Sequence, residues 1–243
     1  MSFSFRRWLG YTKWRCGQVG QLLAYRLPLP GSKRFIHTLW DNQAEMIHTQ
    51  WGELEHDYAI LGGLLKRYQP QSLIDMGCGS GRLFKLYVQY QIPTVVGVDI
   101  STRALAIARQ RFPQIPTLHG RLEDLNFAPT RFDLAICNRV LQHIPAHAIQ
   151  RVVTKLCTVA RSVYINELTV SDNLSENFYM VRHKYLALFD AHAFSVLEEG
   201  QLGDQTYQVY THQGRPISFR SAIDTQAQPL VADSNASAFD KNL

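Results

Sequence analysis

The segment LIDMGCGSGRL, residues 73–83, combines an acid with three glycines at alternate positions. Asp75 ends a short apolar run, and Gly77, Gly79 and Gly81 follow it. Glycines in a turn allow positive φ angles and let a ligand approach the backbone, because they carry no Cβ. In an open α/β sheet such a turn lies beyond the carboxyl ends of the strands, where ligands bind. The segment therefore predicts a ligand site built largely from backbone.

The residue types around this turn favour a cationic ligand over a dinucleotide. A dinucleotide site needs the spacing Gly-x-Gly-x-x-Gly, and the sixth position counted from Gly77 is Arg82. Asp75 would repel a pyrophosphate but would attract an ammonium or sulfonium group. Asp99 ends the next apolar run, and an acid at that place can accept hydrogen bonds from both hydroxyls of a ribose. A ribose and an amino-acid cation without phosphate describe S-adenosylmethionine.

Apolar patterns along the chain alternate between the periods of strands and helices. Strands are predicted at residues 73–76, 94–98, 132–137 and 162–165, and helices at 54–68, 81–90, 102–112 and 146–160. Such alternation is typical of a parallel sheet with helices on both faces. In the C-terminal third, a helix at 180–191 precedes strands at 194–198 and 207–211. The connection between these two strands is too short for a parallel crossover, so we expect an antiparallel pair.

Composition divides the chain into three parts. Residues 1–50 form a predicted helical extension or cap; their first 40 residues hold seven Lys and Arg and no acid. Such a segment packs on the domain or contacts an anionic membrane or a partner. Residues 51–214 carry the α/β pattern. Residues 215–243 lack periodicity and are predicted to be a disordered tail.

The four cysteines are scattered through the chain without a close pair. They match neither a disulfide framework nor a zinc ligand set, so we predict no metal site and a reducing compartment. No apolar run approaches the roughly 20 residues that cross a bilayer. Together with the lack of a signal-peptide pattern, these observations predict a cytoplasmic protein.

From about residue 50 to residue 212, the sequence resembles class I S-adenosylmethionine-dependent methyltransferases. The matching motifs are LIDMGCGSG (73–81), VGVDIS (96–101), GRLEDL (120–125), RFDLAICN (131–138) and VLQHIP (140–145). The resemblance implies a Rossmann-like methyltransferase fold: a doubly wound, mostly parallel seven-stranded sheet whose last strand is antiparallel. It also implies S-adenosylmethionine as the cofactor.

The resemblance places the first cofactor-binding residues at the ends of two strands. Gly77 and Gly79 would face the methionine and ribose portions through their backbone. Asp75 would order the amino group, directly or through water. Asp99 would hold the ribose hydroxyls, and Ile100 would pack on the adenine.

Further cofactor contacts are implied farther along the chain. The backbone N–H of Leu122 would meet the adenine edge, and Asn138 would lie beside the methionine portion. Relatives usually carry Asp or Asn where Arg121 stands, and a cation cannot accept the adenine amino hydrogen. Either Glu123 accepts it or the backbone serves alone, with Arg121 pointing to solvent. Asp133 begins a strand, far from the carboxyl ends, and is interpreted as structural.

Three side chains are candidates for catalysis near the predicted substrate entrance. His143 follows the fourth strand, and His183 and Tyr185 open the late helix. Each has a structural alternative: a turn cap for His143, a surface position for His183 and a core position for Tyr185. Trp40 and Trp51 precede the first strand and would form either a lid over the cofactor or ordinary packing.

The predicted function is methyl transfer to an oxygen or nitrogen of a small-molecule or glycan acceptor. The chain lacks an Asn/Asp-Pro-Pro-Tyr signature, a Pro-Cys nucleophile and a magnesium-binding acid cluster. Three alternatives stay open. They are a nucleic-acid acceptor such as RNA, a lipid-linked acceptor at an anionic membrane, and a non-catalytic cofactor-binding subunit.

Overall fold

The computed structural model describes residue 27 and residues 30–51, 55–129, 131–168 and 180–214. The helices are α1 (Ser32–Trp51), α2 (Glu55–Tyr68), α3 (Phe84–Gln89), α4 (Thr102–Arg111), α5 (Ile149–Val159) and α6 (Tyr185–Asp190). The strands are β1 (Ser72–Met76), β2 (Thr94–Asp99), β3 (Thr117–His119), β4 (Phe132–Asn138), β5 (Ala160–Leu168), β6 (Phe194–Leu202) and β7 (Gln205–His212).

The strands form one sheet in the order β3-β2-β1-β4-β5-β7-β6. The pairs β1–β2, β1–β4, β2–β3 and β4–β5 are parallel, whereas β7 runs antiparallel to both β5 and β6. The chain order changes direction at β1, so the loops after β1 and β4 diverge and leave a crevice between them. This topology confirms the predicted fold class, including the antiparallel last strand.

The core consists of two apolar layers, one on each face of the sheet. Strand β1 shows why its sequence is a continuous apolar run: Leu73 packs in one layer, and Ile74 and Met76 pack in the other. Successive side chains of a strand point to opposite faces, so a strand covered on both sides needs apolar residues at every position. Asp75 is the buried exception in this strand.

Several predicted helices are shorter in the structure. The helix predicted at 81–90 begins only at Phe84, because Gly81 has a φ of +72° and its N–H donates to the carbonyl of Cys78 in the preceding turn. The helix predicted at 180–191 is reduced to α6, so His183 lies before the helix. The predicted start of α4 is confirmed, since the Ser101 hydroxyl accepts a hydrogen bond from the N–H of Ala104 at 3.1 Å.

The short edge strand β3 was not located from the sequence pattern. It has three residues, and Leu118 and His119 are exposed. An edge strand of this length has too few buried positions to create a period of two. Asp133 matches its structural interpretation, because its carboxylate accepts hydrogen bonds from the N–H groups of Gln71 and Ser72.

Helix α1 lies within the predicted N-terminal extension and is fastened to the α/β domain. The Asp41 carboxylate accepts hydrogen bonds from the hydroxyls of Ser101 and Thr102 and from the N–H of Arg103, at 2.8–3.1 Å. These bonds satisfy groups at the start of α4 that have no partner within that helix. The first 26 residues, residues 28–29 and the tail 215–243 lie outside the described residues, so their predicted properties stay predictions. None of the helices in the described ranges combines the length and apolar character needed to cross a bilayer.

Candidate active site

A cavity of about 610 Å³ opens at the carboxyl ends of β1, β2 and β4. Its walls are the loops that follow these strands, and its cover is the inner face of α1. Trp40 lines this cover and meets the ring of His143 edge-on, with the ring centroids 4.9 Å apart. Trp40 therefore lies where the lid interpretation placed it, while the side chain of Trp51 lies outside the described part of the chain.

The glycine turn after β1 forms one end of the cavity. Gly77 and Gly79 have φ angles of +97° and +55°, which favour glycine. A Cβ on Gly77 would lie 2.3 Å from a methyl carbon of Val140, so this glycine is required by packing. A Cβ on Gly79 would meet no atom within 4 Å, and Gly79 lines the cavity. Gly79 is therefore the glycine that leaves room for a ligand.

Asp99 joins the glycine turn to the end of β2. One carboxylate oxygen accepts a hydrogen bond from the N–H of Gly79 at 2.8 Å, and the other accepts one from the N–H of Ser101 at 2.7 Å. Burial raises the pKa of this carboxyl, although the backbone donors oppose the shift. The N–H of Ile100 also interacts with this carboxylate, and the acceptor capacity that the backbone donors leave is available to the cavity, which Asp99 lines.

The predicted adenine contacts form the wall after β2 and β3. Ile100, Leu122 and Glu123 all line the cavity. Arg121 lines it too: its guanidinium donates to Oε1 of Glu123, at 2.7 Å from Nε and 2.6 Å from Nη2. Of the orientations left open for Arg121, the one towards solvent is excluded, because the ion pair holds the side chain inward with 16% of it exposed. Both bonds end on Oε1, so Oε2 of Glu123 is left to accept an amino group.

Asp75 lies outside the cavity lining. Its carboxylate accepts a hydrogen bond from the hydroxyl of Tyr87 at 2.9 Å and is completely buried, which raises its pKa to about 7. The strand alternation explains this position, since Asp75 shares the face of β1 that Leu73 presents to α3. The structure thus brings seven of the eight predicted cofactor residues to the cavity, with Asp75 as the exception.

A buried polar cluster at the base of the cavity was not predicted. Asp57 on α2 pairs with Arg82 at 2.9 Å and accepts a hydrogen bond from Asn138 at 3.0 Å. Arg139 approaches the same carboxylate at 3.5 Å, and the Asn166 amide donates to it at 3.2 Å. We call these five residues the Asp57 cluster. It holds Asn138 and both guanidiniums in place at the cavity wall.

The sequence contained a signal for Asp57. Asp57, Ile60, Leu61 and Leu64 are spaced at three and four residues along α2, which puts the acid on the buried face of the helix. A charge on a buried face needs a partner of opposite charge. The partner here comes from residues distant in the sequence, so it could not be identified from spacing.

Glu167 at the end of β5 supports the turn that carries His143. Its carboxylate accepts hydrogen bonds from the N–H groups of Leu141 at 2.9 Å and Gln142 at 3.3 Å. Burial raises the pKa of Glu167 to about 8, against the effect of these backbone donors. Glu167 was also missed, because nothing in its local sequence distinguishes it from an acid at a solvated strand end.

The three catalytic candidates separate in the structure. His143 lines the cavity, 3.2 Å from the amide nitrogen of Gln142. His183 is absent from the lining: its Nε2 lies 3.0 Å from the carbonyl oxygen of Ile144, and burial lowers its pKa. Tyr185 packs against the apolar layer on its face of the sheet, and burial raises its pKa far above the usual range. The structure therefore brings His143 to the cavity but not His183 or Tyr185.

The fold is a Rossmann-like domain with a cavity at the carboxyl ends of its parallel strands. Residues 73–162 match the family model of a methyltransferase domain. The trans-aconitate 2-methyltransferase of Methylobacterium nodulans is 38% identical over 80 residues, which are 32% of this chain and 31% of that protein. The dTDP-3-amino-3,6-dideoxy-alpha-D-glucopyranose N,N-dimethyltransferase of Streptomyces fradiae is 32% identical over 96 residues, 38% of this chain and 37% of that protein.

Solved structures agree with the fold. The magnesium protoporphyrin IX methyltransferase of Synechocystis, crystallised with bound S-adenosylhomocysteine (SAH), superposes with a TM-score of 0.60 at 16% identity. The match covers 74% of this chain and 99% of that one. The comparisons confirm the predicted resemblance to class I S-adenosylmethionine-dependent methyltransferases. The chain spans about a third of the length of the curated relatives that it matches.

Proposed function

We propose that this chain is an S-adenosylmethionine-dependent methyltransferase that acts on an oxygen or nitrogen of a small-molecule acceptor. The observation that carries the proposal is the convergence of Asp99 and the open side of Gly79 on one cavity. The relatives described above support the acceptor class, since their names describe methylation of a small acid and of a sugar amine. Free thiols at Cys78, Cys137 and Cys157 support a cytoplasmic location, which cell fractionation would test.

The residues at the cavity fit the proposed cofactor. Asp99 would accept hydrogen bonds from the ribose hydroxyls, Ile100 would pack on the adenine, and the backbone N–H of Leu122 would meet the adenine edge. Arg82 follows the glycine turn directly and lines the cavity, so we assign it to the cofactor's carboxylate. The cofactor supplies a methyl group on a sulfonium sulfur. The protein's contribution is to hold the acceptor close and aligned and to exclude water beneath α1.

Calorimetry tests this proposal directly. We expect the purified chain to bind S-adenosylmethionine and SAH with micromolar affinity and NAD not at all. Gly79→Ala should weaken SAH binding at least tenfold, because the added methyl group enters the ligand space. Its matched control is Gly31→Ala, which adds the same left-handed strain (φ +85°) at a position that is also open but away from the cavity. Equal SAH affinity in the two variants would refute the proposed cofactor site.

His143 is the side chain that we assign to proton removal. A hydroxyl acceptor must lose its proton as the methyl group arrives, and a positioned imidazole can take it. Once an acceptor is found by screening alcohols, acids and amines for SAH release, His143→Ala should lower kcat about 100-fold. The affinity for SAH should stay within about threefold of the original protein.

The control for this variant is His147→Ala, an exposed histidine on the following turn that does not line the cavity. It should change neither kcat nor SAH affinity. An unchanged kcat in His143→Ala would show that the imidazole takes no part in proton removal.

A further inference from the structure

The cavity continues beyond the cofactor residues towards the ends of β4 and β5. This part is walled mainly by apolar side chains, which are Trp40, Ile47, Ile144, Leu168 and Met180. We call it the acceptor side of the cavity, since the cofactor residues at the ends of β1 and β2 occupy the other side. Apolar walls of this kind recognise the apolar body of a ligand, while a few polar groups set its orientation.

Arg139 lines the cavity where β4 ends, and its backbone there is strained. It directly follows β4, lines the cavity and has a φ of +59°. A non-glycine residue is strained in this left-handed region, and such strain is concentrated at functional sites. The N–H of Arg139 donates to the carbonyl of Asn166 at 2.6 Å, which helps to hold this conformation.

The positive charge of Arg139 is incompletely balanced within the Asp57 cluster. One carboxylate, that of Asp57, serves two guanidiniums, and Arg82 lies closer to it (2.9 Å) than Arg139 does (3.5 Å). The Nε of Arg139 is buried and finds no hydrogen-bond acceptor among the described residues. Asn138 and Asn166 occupy further lone pairs of the same carboxylate.

The other acids near Arg139 do not restore the balance. Glu167 spends both oxygens of its carboxylate on the N–H groups of Leu141 and Gln142, and burial raises its pKa to about 8. Asp204 lies in the exposed turn between β6 and β7, where solvent screens its charge. A cation that is buried and only partly paired at a cavity wall is stabilised by an anionic ligand.

We propose that Arg139 binds a carboxylate of the methyl acceptor, so that the acceptor is an organic acid with an apolar body. A carboxylate suits this site because the planar guanidinium can donate two parallel hydrogen bonds to it. The inference rests on the proposed function and narrows its acceptor class. Arg139 acts here as a specificity-determining residue, while Arg82 is left to the cofactor.

The test uses the full chain saturated with SAH and two pairs of probes: cinnamate with cinnamamide, and octanoate with octanamide. Within each pair, the acid and the amide have nearly the same shape, but only the acid carries a negative charge. By calorimetry, we expect at least one acid to bind tenfold or more tightly than its amide. Arg139→Asn should abolish this preference, and Arg139→Lys should keep part of it. Asn is chosen because it tolerates the left-handed backbone better than most residues.

Arg151→Asn is the matched control, because it removes the same charge from the exposed face of α5. It should leave the preference for the acid unchanged. Glycine also tolerates the left-handed backbone at this position, so Arg139→Gly replaces Arg139→Asn if the latter fails to fold. The proposal is overturned if neither acid is preferred over its amide, or if the preference survives in Arg139→Asn.

A third result would also overturn the proposal. If Arg139→Asn weakens SAH binding while 5′-methylthioadenosine, which lacks the amino-acid portion, binds as before, Arg139 serves the cofactor's carboxylate and not the acceptor. The proposed function fails separately, if the original chain binds no SAH. In that case the same acid and amide titrations without cofactor still decide for or against Arg139.

Discussion

Replacing Asp99 with alanine is expected to weaken SAH binding roughly a thousandfold. Asp99 would accept two hydrogen bonds from the ribose hydroxyls, and hydrogen bonds to a charged group contribute about 1.5–3 kcal/mol each. Two such bonds at about 2 kcal/mol correspond to nearly three powers of ten in affinity. The variant also releases the N–H groups of Gly79 and Ser101, which loosens the turn that the ligand contacts.

Calorimetry with SAH measures this loss, and thermal unfolding shows that the variant is folded. Asp190→Ala, which removes an exposed carboxylate from α6, is the control and should bind SAH as the original protein does. An Asp99→Ala variant that keeps SAH affinity within threefold would remove Asp99 from the ribose site.

Replacing Asp57 with alanine is expected to lower the free energy of unfolding by about 3–5 kcal/mol. Removal of one partner from a buried ion pair leaves an uncompensated charge, which is costly in a low-dielectric interior. Two guanidiniums lose their carboxylate here, since Arg82 and Arg139 both pair with Asp57 and have side chains only 17% and 13% exposed. Urea denaturation measures the effect.

The surface pair between Lys33 and Asp124 provides the contrast. These side chains are 62% and 51% exposed, so Asp124→Ala should cost less than about 1 kcal/mol. The double variant Asp57→Ala/Arg139→Asn should recover part of the lost stability, because one of the two unpaired cations is gone. If Asp57→Ala costs no more than Asp124→Ala, the Asp57 cluster does not stabilise the fold through its charges.

The cofactor side of the site was largely predictable because it depends on local sequence. The glycine turn needs positive φ angles within three residues of a strand end, and Asp99 needs only to end the neighbouring strand. Both requirements appear as residue types at short spacing, and the fold then brings them together because parallel strands end at one edge of the sheet. The spacing does not reveal, however, that Gly77 is required by packing against Val140, whereas Gly79 leaves open space in the cavity.

The acceptor side was poorly predictable because its geometry depends on contacts between distant segments. His143, His183 and Tyr185 were equivalent candidates in the sequence, and packing brought only His143 of the three to the cavity. Asp75 stands at the expected position of the motif, yet the alternation of side chains along β1 directs its carboxylate towards Tyr87. The sequence does not single out Arg139, because a left-handed backbone angle at a non-glycine residue leaves no signature in the sequence.

The sequence by itself determined the α/β class, the order of most elements and the positions of the glycine turn and Asp99. Those features follow from residue periods and from glycine's backbone freedom, which act over a few residues. Only the tertiary structure decided that α1 covers the cavity and that the guanidiniums of Arg82 and Arg139 share the carboxylate of Asp57. A buried charge is costly unless it is paired, and packing across the whole fold determines which charges from separate elements lie close enough to pair.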